Sequence, residues 1–208
     1  MGASDWLVAV VVASIVAVVG IAPASATQQG TTMISKAMSM CEASAQGGQI
    51  AVPADAGMYF DAPAVGQVQP LSALPDLIKR YAQTGPYAAA YSQNTFFRFS
   101  SKEGEAWSIV RDKTSACDVV VTGFHGSQID QEVLDEMSKA GWTTQVSRAA
   151  SAPNPLSQYV LIKMLPASGD PKLVIRAHIK SLGFGTDVAN GVQMEINFVA
   201  GHFASKIL

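Results

Sequence analysis

Charge is scarce in this chain. Asp, Glu, Lys and Arg make up 14% of its 208 residues, and 14 basic residues meet 16 acidic ones. A balance this near neutral, with acids in slight excess, builds no basic footprint of the kind nucleic acid requires and gives no general attraction to anionic lipid. Histidine is scarce as well. His125, His178 and His202 never approach a His-x3-His spacing, and Cys-x-x-Cys is missing. No metal site is therefore expected. The Gly-x-Ser-x-Gly elbow of serine hydrolases is absent. Gly183-Phe184-Gly185 lacks the third glycine of a dinucleotide loop, so it reads as a hairpin connection and no cofactor is expected. Glu103 and Glu105 fall in a turn and read as solvating it.

What is present begins at the N-terminus. Trp6 to Ala22 is nearly all Val, Ala, Ile and Leu, Pro23 breaks the run, and Ala24-Ser25-Ala26 has the small-x-small pattern of signal-peptidase cleavage. Residues 1–26 read as a signal peptide, and 27–208 as one domain long enough for a proper core. The n-region departs from the pattern, since it carries Asp5 and no Lys or Arg. A retained membrane anchor is the alternative, although the run falls short of the ~20 apolar residues a span needs. Trp6 disfavours acylation at Gly2, and no Cys stands at the cleavage site for a lipoprotein. The expected location is periplasmic or extracellular.

Two cysteines in an oxidising compartment allow one pairing, Cys41 with Cys117. Closing that loop stabilises by about 4.5 kcal/mol on chain-entropy grounds. Cys41 falls on the apolar face of a helix expected over 32–45, with Ile34, Ala37 and Met38, so a bond to a strand is geometrically natural. Residues 46–70 are rich in Gly, Pro and Ala and read as a long loop with one short strand at 49–52.

Helices are expected over 72–83 and 128–140, the latter capped by Ser127, with Asp130 at the capping-box position and facing water, and ended by Gly141. Strands are expected over 95–100, 107–111, 117–122, 143–146, 158–164, 172–180 and 192–199. The fold class is α+β: a mostly antiparallel sheet with two or three helices packed on one face, preceded by the signal peptide. Phe96, Phe97, Phe99 and Trp107 read as sheet core.

The strand over 172–180 carries the best electrostatic feature. Leu173, Ile175, Ala177 and Ile179 take one side, leaving Lys172, Arg176, His178 and Lys180 on the other with Val174. Such a row can hold a phosphate, a carboxylate or an acidic loop, with Arg176 as the fork-like donor and Glu195 as its cross-strand counter-charge. Two weaker candidates stand beside it. Met33, Met38, Met40 and Cys41 suggest soft-metal ligation, but Met38 and Met40 point about 200° apart on a helix, so Met38 reads as core and Met40 as surface. His125, between Gly123 and Ser127 at a strand-to-helix junction, has anion-binding geometry without a catalytic motif.

These features point to a non-catalytic binding protein that acts on an envelope or extracellular protein partner, or on a second copy of itself. The long segment 46–70 and the cationic strand are the expected contact surfaces. An envelope hydrolase built on one histidine, or a carrier of a small apolar or anionic ligand, are the competing classes.

Overall fold

A computed structural model of the protein describes residues 26–61, 66, 68–84, 88–102, 104–111, 116–124, 128–151, 156–165, 173–182 and 191–202. The long N-terminal helix α1 (Ala26–Ala45) precedes a parallel pair, β1 (Gly57–Phe60) and β2 (Val68–Pro70), and the short helix α2 (Asp76–Thr84). The meander β3 (Asn94–Ser100), β4 (Glu105–Arg111) and β5 (Ala116–Thr122) follows. Helix α3 (Gln128–Lys139) leads into β6 (Thr143–Arg148), β7 (Leu156–Met164), β8 (Leu173–Leu182) and β9 (Val192–His202). The protein is α+β, with three helices on one nine-stranded sheet ordered β2-β1-β3-β4-β5-β9-β8-β7-β6. Every pairing is antiparallel except β1 with β2.

The chain reaches β6 at the far edge through α3 and then works back inward. Its last strand, β9, closes the sheet between β5 and β8.

Alternation along the strands divides the molecule into two cores. On one face, α1 lies over Phe97, Phe99, Ala106, Val119, Val121, Ile196 and Phe198, and α3 joins it through Val133 and Met137. Cys41 of α1 is bonded to Cys117 of β5, with Cα atoms 5.0 Å apart, and Ser108 of β4 donates to the Ala37 carbonyl at 3.0 Å. On the other face, α2 and the turn before it set Leu71, Leu74, Ile78 and Ala82 onto Tyr59, Phe96, Trp107, Ile109 and Val120. Two of the three helices thus share a face, and α2 covers the opposite one. The central strand is covered on both sides as a result, and Cys117–Val121 is buried throughout.

Several local expectations change. Residues 49–52 form no strand; the strands of this stretch are β1 and β2, paired in parallel between Met58–Phe60 and Val68–Pro70. Met40 is 3% exposed, because the buried arc of α1 extends from Met33 through Met40 and Cys41. Asp130 does not face water: Ser181 of β8 donates to its carboxylate at 2.5 Å, beneath α3. Glu105 lies at the start of β4, where it pairs with Arg98 and accepts the Trp107 indole N–H at 2.9 Å. Gly141 does end α3, at φ +86°, with Trp142 N–H reaching back to the Met137 carbonyl at 3.0 Å.

Candidate functional site

On the α2 face, the apolar inner half of the sheet gives way to a polar row. Asn94 stands opposite Arg111 across β3 and β4, Asp118 opposite Asn197 across β5 and β9, and Asn197 opposite His178 across β9 and β8. Arg111 pairs with Asp118, and the Asn197 amide donates to the other carboxylate oxygen of Asp118. Burial pushes the Asp118 carboxyl upward, against the pull of Arg111 and Asn197. Tyr81 of α2 leans onto this row. Burial, together with the Asp118 and Glu195 carboxylates, pushes its phenol far above the ordinary tyrosine range. Asn94 is 1% exposed, and neither polar atom of its amide has a hydrogen-bond partner among the described residues.

The row runs outward onto β8. Arg176, His178 and Lys180 share one side of that strand, as the alternation requires, and Lys172 lies outside the described residues. Their environments differ. Lys180 is opposed by Glu195, with Nζ 3.6 Å from the carboxylate. Arg176 is opposed by Val199, and among the described residues no carboxylate pairs with it. The expected Arg176–Glu195 pair is therefore a Lys180–Glu195 pair, because the register sets Glu195 four residues further along β8. His178 is exposed, and its pKa lies below the ordinary histidine value. Partial burial is the main cause, followed by the charges of Arg176 and Lys180.

A cavity of about 190 Å³ opens beside Arg176. Val174 and Val199 form its apolar wall, and His178, Asn197 and His202 also line it. Asn197 belongs to both the cavity and the buried row, so Asp118 fixes the orientation of its amide.

The register adds an aliphatic row that the sequence reading left out. Val146 of β6 opposes Val160 of β7, which opposes His178; Ile162 opposes Arg176; Met164 opposes Val174. Val146 is 39% exposed and Met164 51%. The outer half of this face, over β6 to β8, therefore sets aliphatic side chains beside guanidinium, imidazole and ammonium groups.

The remaining candidates separate from this surface. His125, Ser127, Gly183, Phe184 and Gly185 lie outside the described residues. Met33, Met38 and Met40 are core side chains, and no group of three His, Cys, Asp or Glu among the described residues is placed to hold a metal ion. Among the described residues, the charges that shift the His178 titration are those of Arg176 and Lys180, both cations. An open groove of about 800 Å³ between α1 and α3 is lined by Thr31, Thr32 and Met33 of α1 and by Glu132, Asp135, Glu136 and Lys139 of α3. Among the described residues, no helix is long and apolar enough to cross a membrane.

Arg111, Asp118 and Asn197 were missed by the sequence reading although a signal was present. Asp118 is the lone acid in an otherwise apolar run, and Arg111 ends the preceding strand on the same side. No protein-family model, curated protein or solved structure matches this chain.

Proposed function

We propose that the protein is an exported, non-catalytic binding protein whose partner is an acidic protein of the envelope or extracellular space. The observation that carries this reading is the outer half of the α2 face, where Arg176 has no carboxylate partner among the described residues and exposed Met164 and Val146 lie one and two strands away. A cation left without a counter-charge beside exposed apolar surface favours a carboxylate-bearing partner, both for encounter and for register. The Cys41–Cys117 bond supports an oxidising compartment.

The test is capture of the partner from the host's envelope fraction at low and high salt, by the wild type and by an Arg176→Glu, Lys180→Glu double variant. Salt-sensitive capture that the double variant loses is the expected result. Undiminished capture by that variant would mean the charges only solvate the sheet.

A further inference from the structure

Resting on the outer sheet face as the contact surface, we infer that the cavity bounded by Arg176, His178 and Asn197 is a pocket for one acidic side chain of the partner, flanked in the partner by aliphatic residues. Three observations converge on it. The first is charge: of the cations on this strand, Lys180 already faces Glu195, so Arg176 is the one whose guanidinium fork has no carboxylate among the described residues. The second is preorganisation. The Asn197 amide donates inward to Asp118, which is itself held by Arg111, so the carbonyl end of Asn197 is turned away from Asp118. A carboxylate on Arg176 and a peptide N–H on the Asn197 carbonyl would satisfy both groups at once. The third is shape. A cavity of about 190 Å³ walled by Val174 and Val199 suits the short aliphatic stem of a glutamate or aspartate.

The surroundings select a side chain over a chain terminus. The cavity spans β8 and β9, with Val160 and Ile162 of β7 beside it on the side away from α2. A segment lying over β6 and β7 can place one acidic side chain in the cavity while its neighbours rest on the row Val146, Val160, Ile162 and Met164.

The probe is acetyl-Leu-Glu-Leu-amide, which bears one carboxylate and no charged terminus, compared with acetyl-Leu-Gln-Leu-amide. Titrations are followed by 15N–1H correlation spectra of the full chain at about 0.15 M salt, where loose surface attraction is screened. The expected result is saturable shifts at the Arg176 Nε–H, the Asn197 side-chain amide and the Val160 and Ile162 backbone amides. The glutamine peptide should bind roughly tenfold more weakly, the scale of one charge-assisted contact.

Arg176→Gln should cost a similar factor and Arg176→Lys should fall between, while Lys180→Gln changes affinity by less than about twofold. Equal losses for Arg176→Gln and Lys180→Gln, or equal binding of the two peptides, would overturn the pocket. Binding of acetyl-Leu-Leu-Leu with a free carboxyl terminus as tightly as the glutamate peptide would overturn the choice of a side chain. Peptide results that fail while partner capture still depends on Arg176 and Lys180 would refute the pocket alone. Specific peptide binding alongside charge-insensitive capture would refute the functional reading alone.

Discussion

The Asn197 amide donates to the Asp118 carboxylate, so a residue lining the outer cavity is held by a buried residue on the central strand. The buried pair Arg111–Asp118 thus bears on the candidate site without being exposed to it. Its energetic role follows from its burial: both side chains are nearly excluded from solvent, and each compensates the desolvation of the other.

Removing one partner is expected to be much worse than removing both. Asp118→Ala should lower stability by about 3–5 kcal/mol, because it leaves a guanidinium buried without its counter-charge. Arg111→Met combined with Asp118→Leu should recover most of that loss. Urea unfolding decides it: a single variant within about 0.5 kcal/mol of wild type, the range of ordinary surface changes, would show that the pair is not held as described.

Reduction of Cys41–Cys117 should lower the thermal midpoint sharply, as should Cys41→Ser, with about 4.5 kcal/mol as the chain-entropy estimate. An unchanged midpoint in Cys41→Ser, with both thiols alkylatable in the native wild-type protein, would show that the two cysteines are not bonded.

Asp130 sets a pH dependence. Burial raises its carboxyl above the ordinary value of 3.8, against hydrogen bonds from Ser181 and Ser157. The folded chain therefore holds this proton more tightly than the unfolded chain, and stability falls as pH rises from about 3.8 through the raised folded value. Asp130→Asn removes that dependence. The wild type should lose ground to the variant as pH is raised across this window. Melting curves in which the wild type instead gains would mean that the serines stabilise the ionised form more than burial opposes it.

Glu42 joins three elements that are distant in sequence. It accepts from Lys163 of β7 at 2.6 Å and from the Trp142 indole at 3.3 Å. Glu42→Ala should cost about 1.5–3 kcal/mol, the range for hydrogen bonds to a charged group, and Glu42→Gln less. Chemical denaturation of the three proteins tests the order; an alanine variant equal to wild type would place Glu42 among neutral surface contacts.

Much of the sheet was legible because alternation survives where only one side is buried. The strand Leu173–Leu182 shows this, and its cationic side falls where the pattern puts it. Gly141 marked the end of α3 because only a left-handed residue completes that turn. The side taken by α2 was not read, since an amphipathic stripe says that a helix packs and not where. The clue lay elsewhere, in the run Cys117–Val121, whose lack of alternation requires cover on both sides. The β1–β2 pair escaped because a parallel pairing of such short strands within a Gly- and Pro-rich stretch has no local signature. The counter-charge of Arg176 was misassigned for a simpler reason: residue type gives charge, and only register gives neighbours.

The position of β9 has a consequence for synthesis. Strands β1 to β5 can zip together as one array, and β6 to β8 as another, but among the described residues no strand pairing joins the two until residues 192–202 arrive. The candidate site straddles that seam, with Arg176 on one side, Asp118 on the other and Asn197 on β9 itself. A chain cut short before β9 would hold two half-sheets with raw edges and no Asn197, so the proposed contact surface would be completed last, in the same step that makes the sheet whole.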